Sequence, residues 1–259
     1  MCPPDYFSVE YEINPWMDTG NPVDFEVAYT QWQKLRDLYT NELGWEVEVI
    51  EPVAGLPDMV FAANAGLMVD GNVAVATFRH PERQPESDHY RDWFKGYGFN
   101  NITQPAHDFE GEGDALVWND IIFAGYPWRS DQAAHRELHD FFGRQVIGLQ
   151  LTDPYFYHLD TCFAPVNDTT VALYPPALTT ESLQAVRKTV PNVIEATKAD
   201  AVAYGLNSVS DGQSVIIGED AHDLIKQYQS LGMNVYTTPI SEFQKSGGGV
   251  KCMTLTIAG

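Results

Sequence analysis

One cysteine, one histidine and a set of carboxylates in this chain are the residue types that attack an electrophilic carbon flanked by nitrogens. Cys252 follows three consecutive glycines, Gly247, Gly248 and Gly249. Such a run is unsuited to a helix or strand interior. It suits backbone that passes close to something bound or adopts positive φ, so Cys252 reads as a thiol presented at the mouth of an alternating apolar strand. A free thiol, with a pKa of ~8.5, attacks as its thiolate, and a neighbouring cation promotes that ionisation. A guanidinium substrate is itself such a cation. His158 can protonate a departing amine and then deprotonate water. Glu110 can orient and charge-stabilise the imidazole, with Glu112 an open alternative for that role. Asp114 and Asp160 can grip guanidinium N–H groups through charge-assisted hydrogen bonds. His158 and Cys162 have the spacing of half a zinc site, but no second pair accompanies them, so neither metal nor cofactor is expected. Arg79 and Arg83 read either as surface charges or as grips for the carboxylate of an amino acid. Asn14, in Asn14-Pro15-Trp16-Met17, lies in a rim loop whose aromatic residue can cover a substrate stem.

Composition narrows the partner. The 259 residues carry 15 Lys and Arg against 36 Asp and Glu, a net charge of −21, which repels nucleic acid and anionic membrane and favours a cationic small molecule. With 44% apolar and 12% aromatic residues the chain is globular. Three cysteines, an odd number in a chain of this size, argue against a disulfide framework and for a reducing compartment. No basic segment followed by an apolar run opens the sequence, and no window reaches the length of a membrane span. The expectation is a cytoplasmic protein.

The elements that must position these residues form a repeat. Helical patterns at 25–43, 86–97, 131–143, 180–189 and 220–231 each run into a short extended segment, at 47–50, 101–103, 146–149, 193–195 and 235–237. On the first helix the expected apolar face is Phe25, Val27, Ala28, Trp32, Leu35, Leu38 and Tyr39. Asp24, Ser130 and Thr179 or Thr180 are the expected N-caps. After the first four helices come strand pairs with turns at Asp70-Gly71-Asn72, Asn119-Asp120, Asn167-Asp168-Thr169 and Asp211-Gly212, residues suited to hairpin turns. A fifth pair is expected from residues 7–12 and the strand beyond Cys252. A period in the mid-forties also fits a propeller blade of four strands, but each unit here carries a helix. The reading is therefore an α+β ring of five units with five-fold pseudosymmetry, helices outside and strands around a central site, spanning 1–259 as a single catalytic domain. The residues at the start of each strand pair then face the axis: Asn64 in unit one, Glu110 to Asp114 in unit two, His158 to Asp160 in unit three, Gly205 to Ser208 in unit four and Cys252 in unit five.

The motifs Phe109-Glu110-Gly111-Glu112-Gly113-Asp114, His158-Leu159-Asp160 and Gly247-Gly248-Gly249-Val250-Lys251-Cys252-Met253 resemble those of the guanidine-modifying enzymes of the pentein fold, in the family's order across almost the whole chain. That superfamily includes arginine deiminase, dimethylarginine hydrolase, amidinotransferases and arginine dihydrolase. The resemblance implies Cys252 as nucleophile, His158 as acid and base, Glu110 as its partner, and Asp114 and Asp160 at the guanidinium. Deiminases and methylarginine hydrolases carry an aspartate where this chain has Asn64. An asparagine there, the Met-Cys-Pro-Pro opening and the Asn14 loop resemble the arginine dihydrolase branch. The expected reaction is L-arginine and two waters to L-ornithine, carbon dioxide and two ammonia. A deiminase or dimethylarginine hydrolase stopping at citrulline is the alternative, and a non-catalytic pentein-fold binding protein is the reading of another class.

Overall fold

The structure, a computed structural model, describes residues 1–257. Helix α1 (Phe25–Asn41) is capped by Asp24, which accepts the Val27 N–H. It buries Ala28, Gln31, Trp32, Leu35 and Tyr39. Phe25 and Val27, expected on the apolar face, are exposed. They lie in the first turn, where Phe25 packs against Tyr29 on the helix itself.

The hairpin β1 (Gly66–Val69) and β2 (Asn72–Val75) pairs antiparallel around Asp70 and Gly71, both at positive φ. The chain then crosses through α2 (Glu86–Tyr97) and returns as β3 (Asn101–Thr103), parallel to β2. The same sequence of moves follows three more times. The one-turn helix α3 (Gly111–Asp114) leads into β4 (Ala115–Trp118), β5 (Ile121–Tyr126), α4 (Ala134–Phe142) and β6 (Gln145–Gln150). Next come β7 (Phe163–Asn167), β8 (Thr170–Leu173), α5 (Thr180–Thr189) and β9 (Asn192–Glu195). Helix α6 (Lys198–Val202) then leads into β10 (Val209–Ser210), β11 (Ser214–Gly218), α7 (His222–Ser230) and β12 (Asn234–Thr238). Each of the four sheets has three strands, the first pair antiparallel and the second parallel. A final short helix, α8 (Ser241–Gln244), precedes the glycine run. No helix among the described residues is long and apolar enough to cross a membrane.

The fifth unit departs from expectation. Residues 7–12 and 47–50 form no strand. Met1 lies beside the latter segment, its nitrogen donating to Glu48 O at 2.9 Å and its carbonyl accepting the Ile50 N–H at 3.0 Å. Residues 7–12 are drawn inward: Phe7 packs on Phe61 and Phe243 with ring centroids 5.5 and 5.2 Å away, and Tyr11 donates to the buried Asp58 at 2.9 Å. A chain anchored by its side chains in the core has left the sheet edge. Cys252 sits on a turn, with Met253 N–H donating to Gly249 O at 3.2 Å, not on a strand. Ala258 and Gly259, the end of the expected strand, lie outside the described residues. A cavity of about 490 Å³ is lined by residues of both 45–50 and 254–257.

Thr179 caps α5 as expected, accepting the Ser182 N–H. Ser130 does not cap a helix; α4 starts four residues later, and the Ser130 hydroxyl is buried among the carboxylates described below. The starts of α6 and α7 are joined by Asp200. This buried carboxylate closes a capping box with Thr197 and also accepts the Asp223 and Leu224 N–H groups of α7 at 3.0 and 3.2 Å. One side chain thus caps the N-terminal turns of two helices and ties α6 to α7. Asp200→Ala removes both caps, and the expected loss is about 2 kcal/mol at ~1 kcal/mol per cap, read from urea unfolding. A loss below ~0.5 kcal/mol would show that the caps are not what holds the two helix starts.

Candidate active site

Five short turns meet inside the ring, and each precedes a strand pair or stands where one would begin. They comprise residues 62–65, 111–114, 159–161, 203–207 and 250–253. The turns are tied to one another by backbone bonds: Ala63 N–H donates to Cys252 O at 3.0 Å and Lys251 N–H to Asn207 O at 3.2 Å. They approach this closely because glycine stands at the contacts. A Cβ on Gly113 would lie 2.3 Å from Asn64 Nδ2 and 3.3 Å from the His158 ring, and one on Gly248 would lie 2.1 Å from the Phe61 ring.

His158 Nε2 donates to Glu110 Oε2 at 2.8 Å, and Arg129 Nη1 donates to the same oxygen at 2.8 Å. Burial opposes ionisation of Glu110, but Arg129 and then His158 outweigh it and hold the carboxyl well below the usual range. An ionised acceptor keeps the imidazole proton on Nε2, leaving Nδ1 buried and without a hydrogen-bond partner among the described residues. Arg129 is itself steadied by Ile13 O at 3.2 Å and by the Tyr157 ring, 4.7 Å from its guanidinium carbon. Glu112 pairs with Lys251 and accepts the Thr256 N–H at 3.0 Å; Glu110 is therefore the partner of His158.

Asp114 accepts the Ser130 hydroxyl at 2.6 Å and the Leu159 N–H at 3.1 Å, while Ser130 Oγ accepts the Glu110 N–H at 3.0 Å. Burial pushes Asp114 up to about 6. Cys252 Sγ lies 3.3 Å from Asp160 Oδ2, and burial pushes Asp160 up to about 7. The other oxygen of Asp160 has no partner among the described residues. Burial first, and Asp160 second, push the Cys252 thiol up, so the resting sulfur is protonated. Cys252 is 2% exposed. Cys162, the other half of the candidate zinc pair, is a buried core thiol donating to Leu159 O.

Asn64 lies in the same cluster, and its amide orientation is set by its neighbours. Arg83, which has only donors, reaches Oδ1 at 2.8 Å; the Glu110 carbonyl, which only accepts, takes Nδ2 at 3.2 Å. Arg83 is buried against Glu86 in a two-pronged pair at 2.8 and 2.9 Å. The Arg79 guanidinium is held by Asp108 at 2.9 Å and Pro127 O at 3.0 Å, and its side chain is 36% exposed. Only its backbone N–H touches Glu110, at 3.4 Å. Asn14 ties the rim loop to the glycine run, donating to Ser246 O at 3.0 Å and accepting the Trp16 N–H at 2.9 Å. Trp16 lies across Tyr155 and Tyr204.

Three polar groups of this cluster escape the sequence-based site set: Ser130 reads as a helix cap, Arg129 is one of eight arginines with no motif around it, and Asn207 is marked only by its place in the unit-four segment. The buried cations are used one for one: Arg129 with Glu110, Arg83 with Glu86, and Lys251 with Glu112. Asp114 and Asp160 have no ion-pair partner among the described residues. Two buried carboxyl groups beside a thiol and an imidazole are thus without a compensating cation among the described residues.

Known proteins share this arrangement of elements. The crystal structure of the N-terminal domain of ArgZ bound to product, an arginine dihydrolase from cyanobacteria, superposes with a TM-score of 0.94 at 38% identity, covering 98% of this chain and 95% of that one. The ring is the pentein fold, and the protein is a hydrolase acting on guanidino C–N bonds. The chain belongs to the N,N-dimethylarginine dimethylhydrolase family, whose eukaryotic model matches residues 14–258. It is 44% identical over 257 residues to the N(G),N(G)-dimethylarginine dimethylaminohydrolase of Mycobacterium tuberculosis, covering 99% of this chain and 84% of that protein. It is 38% identical over 264 residues to the bifunctional arginine dihydrolase/ornithine cyclodeaminase ArgZ of Synechocystis, but spans only 37% of that protein's length.

The raised Asp160 sets a pH dependence. An acid whose folded pKa lies above its unfolded value binds a proton more tightly when folded, so its contribution to stability falls as pH rises from the unfolded value near 4 to about 7. Asp160→Asn removes that penalty. The variant is expected to melt higher than the parent at pH 8, by up to about 4 kcal/mol in stability from three pKa units, with the gain shrinking toward pH 4. Thermal melts of both proteins at the two pH values check it, and a gain that does not change with pH would contradict it.

Proposed function

We propose that the protein is an arginine dihydrolase, converting L-arginine and two waters to L-ornithine, carbon dioxide and two ammonia through covalent adducts on Cys252. The guanidinium is held between Asp160 and Asp114, whose ionisation its charge favours. Beside that cation the thiol ionises, its proton passing to His158 Nδ1, and sulfur bonds to the guanidino carbon. His158 returns the proton to the departing nitrogen as the C–N bond breaks and ammonia leaves. It then takes a proton from water; oxygen bonds to carbon, the C–S bond breaks and the thiolate is reprotonated, leaving a ureido group. A second round on that carbon, with the second water, releases the other ammonia, and the resulting carbamate loses carbon dioxide. Arg79, partly exposed and paired with Asp108, exchanges that carboxylate for the substrate's, and Asn14 holds the rim loop over the stem.

The observation that carries the two-round reading is the orientation of Asn64. Its oxygen is occupied by Arg83, so it offers the site N–H groups, one on the Glu110 carbonyl and one for substrate. A donor suits the ureido oxygen of the intermediate; an aspartate there would set acceptor against acceptor and favour release of citrulline. A matched bond in place of a buried clash is worth ~1–3 kcal/mol, roughly 5- to 150-fold in partitioning.

The second reading, a dimethylarginine hydrolase stopping at citrulline, is favoured by the family match and by the 44% identical relative. End-point product analysis separates the two. Arginine incubated with the wild type is expected to give ornithine and about two ammonia with little citrulline, and Asn64→Asp to shift the products toward citrulline and about one ammonia. Cys252→Ser is expected to lose turnover while remaining folded. Citrulline as the sole product from arginine or from dimethylarginine would overturn the dihydrolase reading, and no turnover of either would favour a binding protein.

A further inference from the structure

The sulfur of Cys252 has a built-in hydrogen-bond donor, Asn207, on the turn between α6 and β10. Asn207 is 0% exposed, and its amide cannot be turned around. The Cys252 N–H, a donor, faces Oδ1 at 3.0 Å, and the Asp160 carbonyl, an acceptor, faces Nδ2 at 3.2 Å. The second Nδ2 hydrogen is directed to Cys252 Sγ at 3.1 Å. The backbone adds a third tie, Lys251 N–H to Asn207 O at 3.2 Å, while the Asn207 N–H is satisfied by Tyr204 O at 3.1 Å. Gly249 makes room for this amide, because a Cβ there would lie 2.8 Å from Oδ1. The last glycine of the run before the cysteine thus has a partner in space.

A thiol needs an acceptor and a thiolate needs donors. Asp160 Oδ2 at 3.3 Å serves the thiol and opposes the thiolate; Asn207 Nδ2 serves the thiolate. We propose that Asn207 is a positioning residue that stabilises the Cys252 thiolate and fixes its direction, so that sulfur is held by a neutral donor each time a bond to it forms or breaks. The role rests on Cys252 being the nucleophile and is independent of how many waters each arginine consumes. Asp160 is the titratable group that touches the sulfur; the buried Tyr157 and Tyr204 and the His158 imidazole are the others around it, with Lys251 the preceding residue on the same turn.

The test reads sulfur without substrate. Alkylation of Cys252 by iodoacetamide is followed against pH by peptide mass spectrometry in the wild type and in Asn207→Ala, Asn207→Asp and Asn207→Ser. The midpoint is expected to rise by about one to two pH units in Asn207→Ala, the loss of one charge-assisted bond being roughly 10- to 100-fold in thiolate population. It should rise further in Asn207→Asp, which presents an acceptor in the same shape, and less in Asn207→Ser, which keeps a hydroxyl donor. Should Asn207→Ala not fold, the isosteric Asn207→Asp carries the comparison. In a Cys252→Ser background, arginine binding by calorimetry is expected to change less than ~3-fold on adding Asn207→Ala, about the worth of a weak bond. Unchanged midpoints in the folded variants, or loss of arginine binding in the serine background, would overturn the proposal. Neither outcome depends on whether the product is ornithine or citrulline.

Discussion

A carboxylate taken out of water keeps its charge only where a cation or several donors compensate it, and the interior of this ring is arranged by that requirement. Glu110 has Arg129 and the His158 imidazole, Glu86 has Arg83, and Glu112 has Lys251. Asp58 is served instead by the hydroxyls of Tyr11 and Ser246. Asp114 and Asp160 have neutral partners only, and both are pushed up by burial. The consequence for chemistry is a division of labour. The permanent anion, Glu110, settles which imidazole nitrogen carries the proton, and the two aspartates are the groups whose charge waits for a cation.

The same burial keeps the thiol protonated at rest. In the proposed reaction, a guanidinium entering between Asp114 and Asp160 would supply the missing positive charge to aspartates and sulfur together, making binding and activation one electrostatic event. The arrangement is costly to the fold, since two desolvated acids lower stability as they ionise. That cost is met by the apolar clusters on either side, one centred on Phe123, Phe163 and Leu173 and another on Trp32, Phe61 and Phe243.

Such crowding of polar groups needs backbone without side chains in between. Gly113 lets Asn64 and His158 approach, Gly248 admits the Phe61 ring, and Gly249 admits the Asn207 amide. Helices outside the ring hold the turns at fixed distances: Asp200 joins α6 to α7, and α1 packs on α8 just before the cysteine. The strands themselves contribute little chemistry. They set the spacing of the turns.

By itself the sequence determined the features whose causes are local. Alternating β-branched runs split by turn residues, helical faces after Asp24 and Thr179, and glycines before Cys252 are all short-range patterns, and their repetition in the mid-forties implied a ring with a shared centre. Cys252, His158, Glu110, Asp114, Asp160 and Asn64 were legible because they recur at one address of that repeat. What only the tertiary structure decided depends on partners far apart in the chain. The choice of Glu110 over Glu112 rests on His158 and Arg129 on one side and Lys251 on the other. The engagement of the Asn64 oxygen rests on Arg83, and the use of Ser130 as a buried donor rests on Asp114. In the fifth unit, where no sheet pair forms among the described residues, Phe7 and Tyr11 are instead engaged by Phe61, Phe243 and Asp58. Asn207 meets Cys252 across 45 residues of sequence, a juxtaposition that no local pattern encodes and that only closure of the ring brings about.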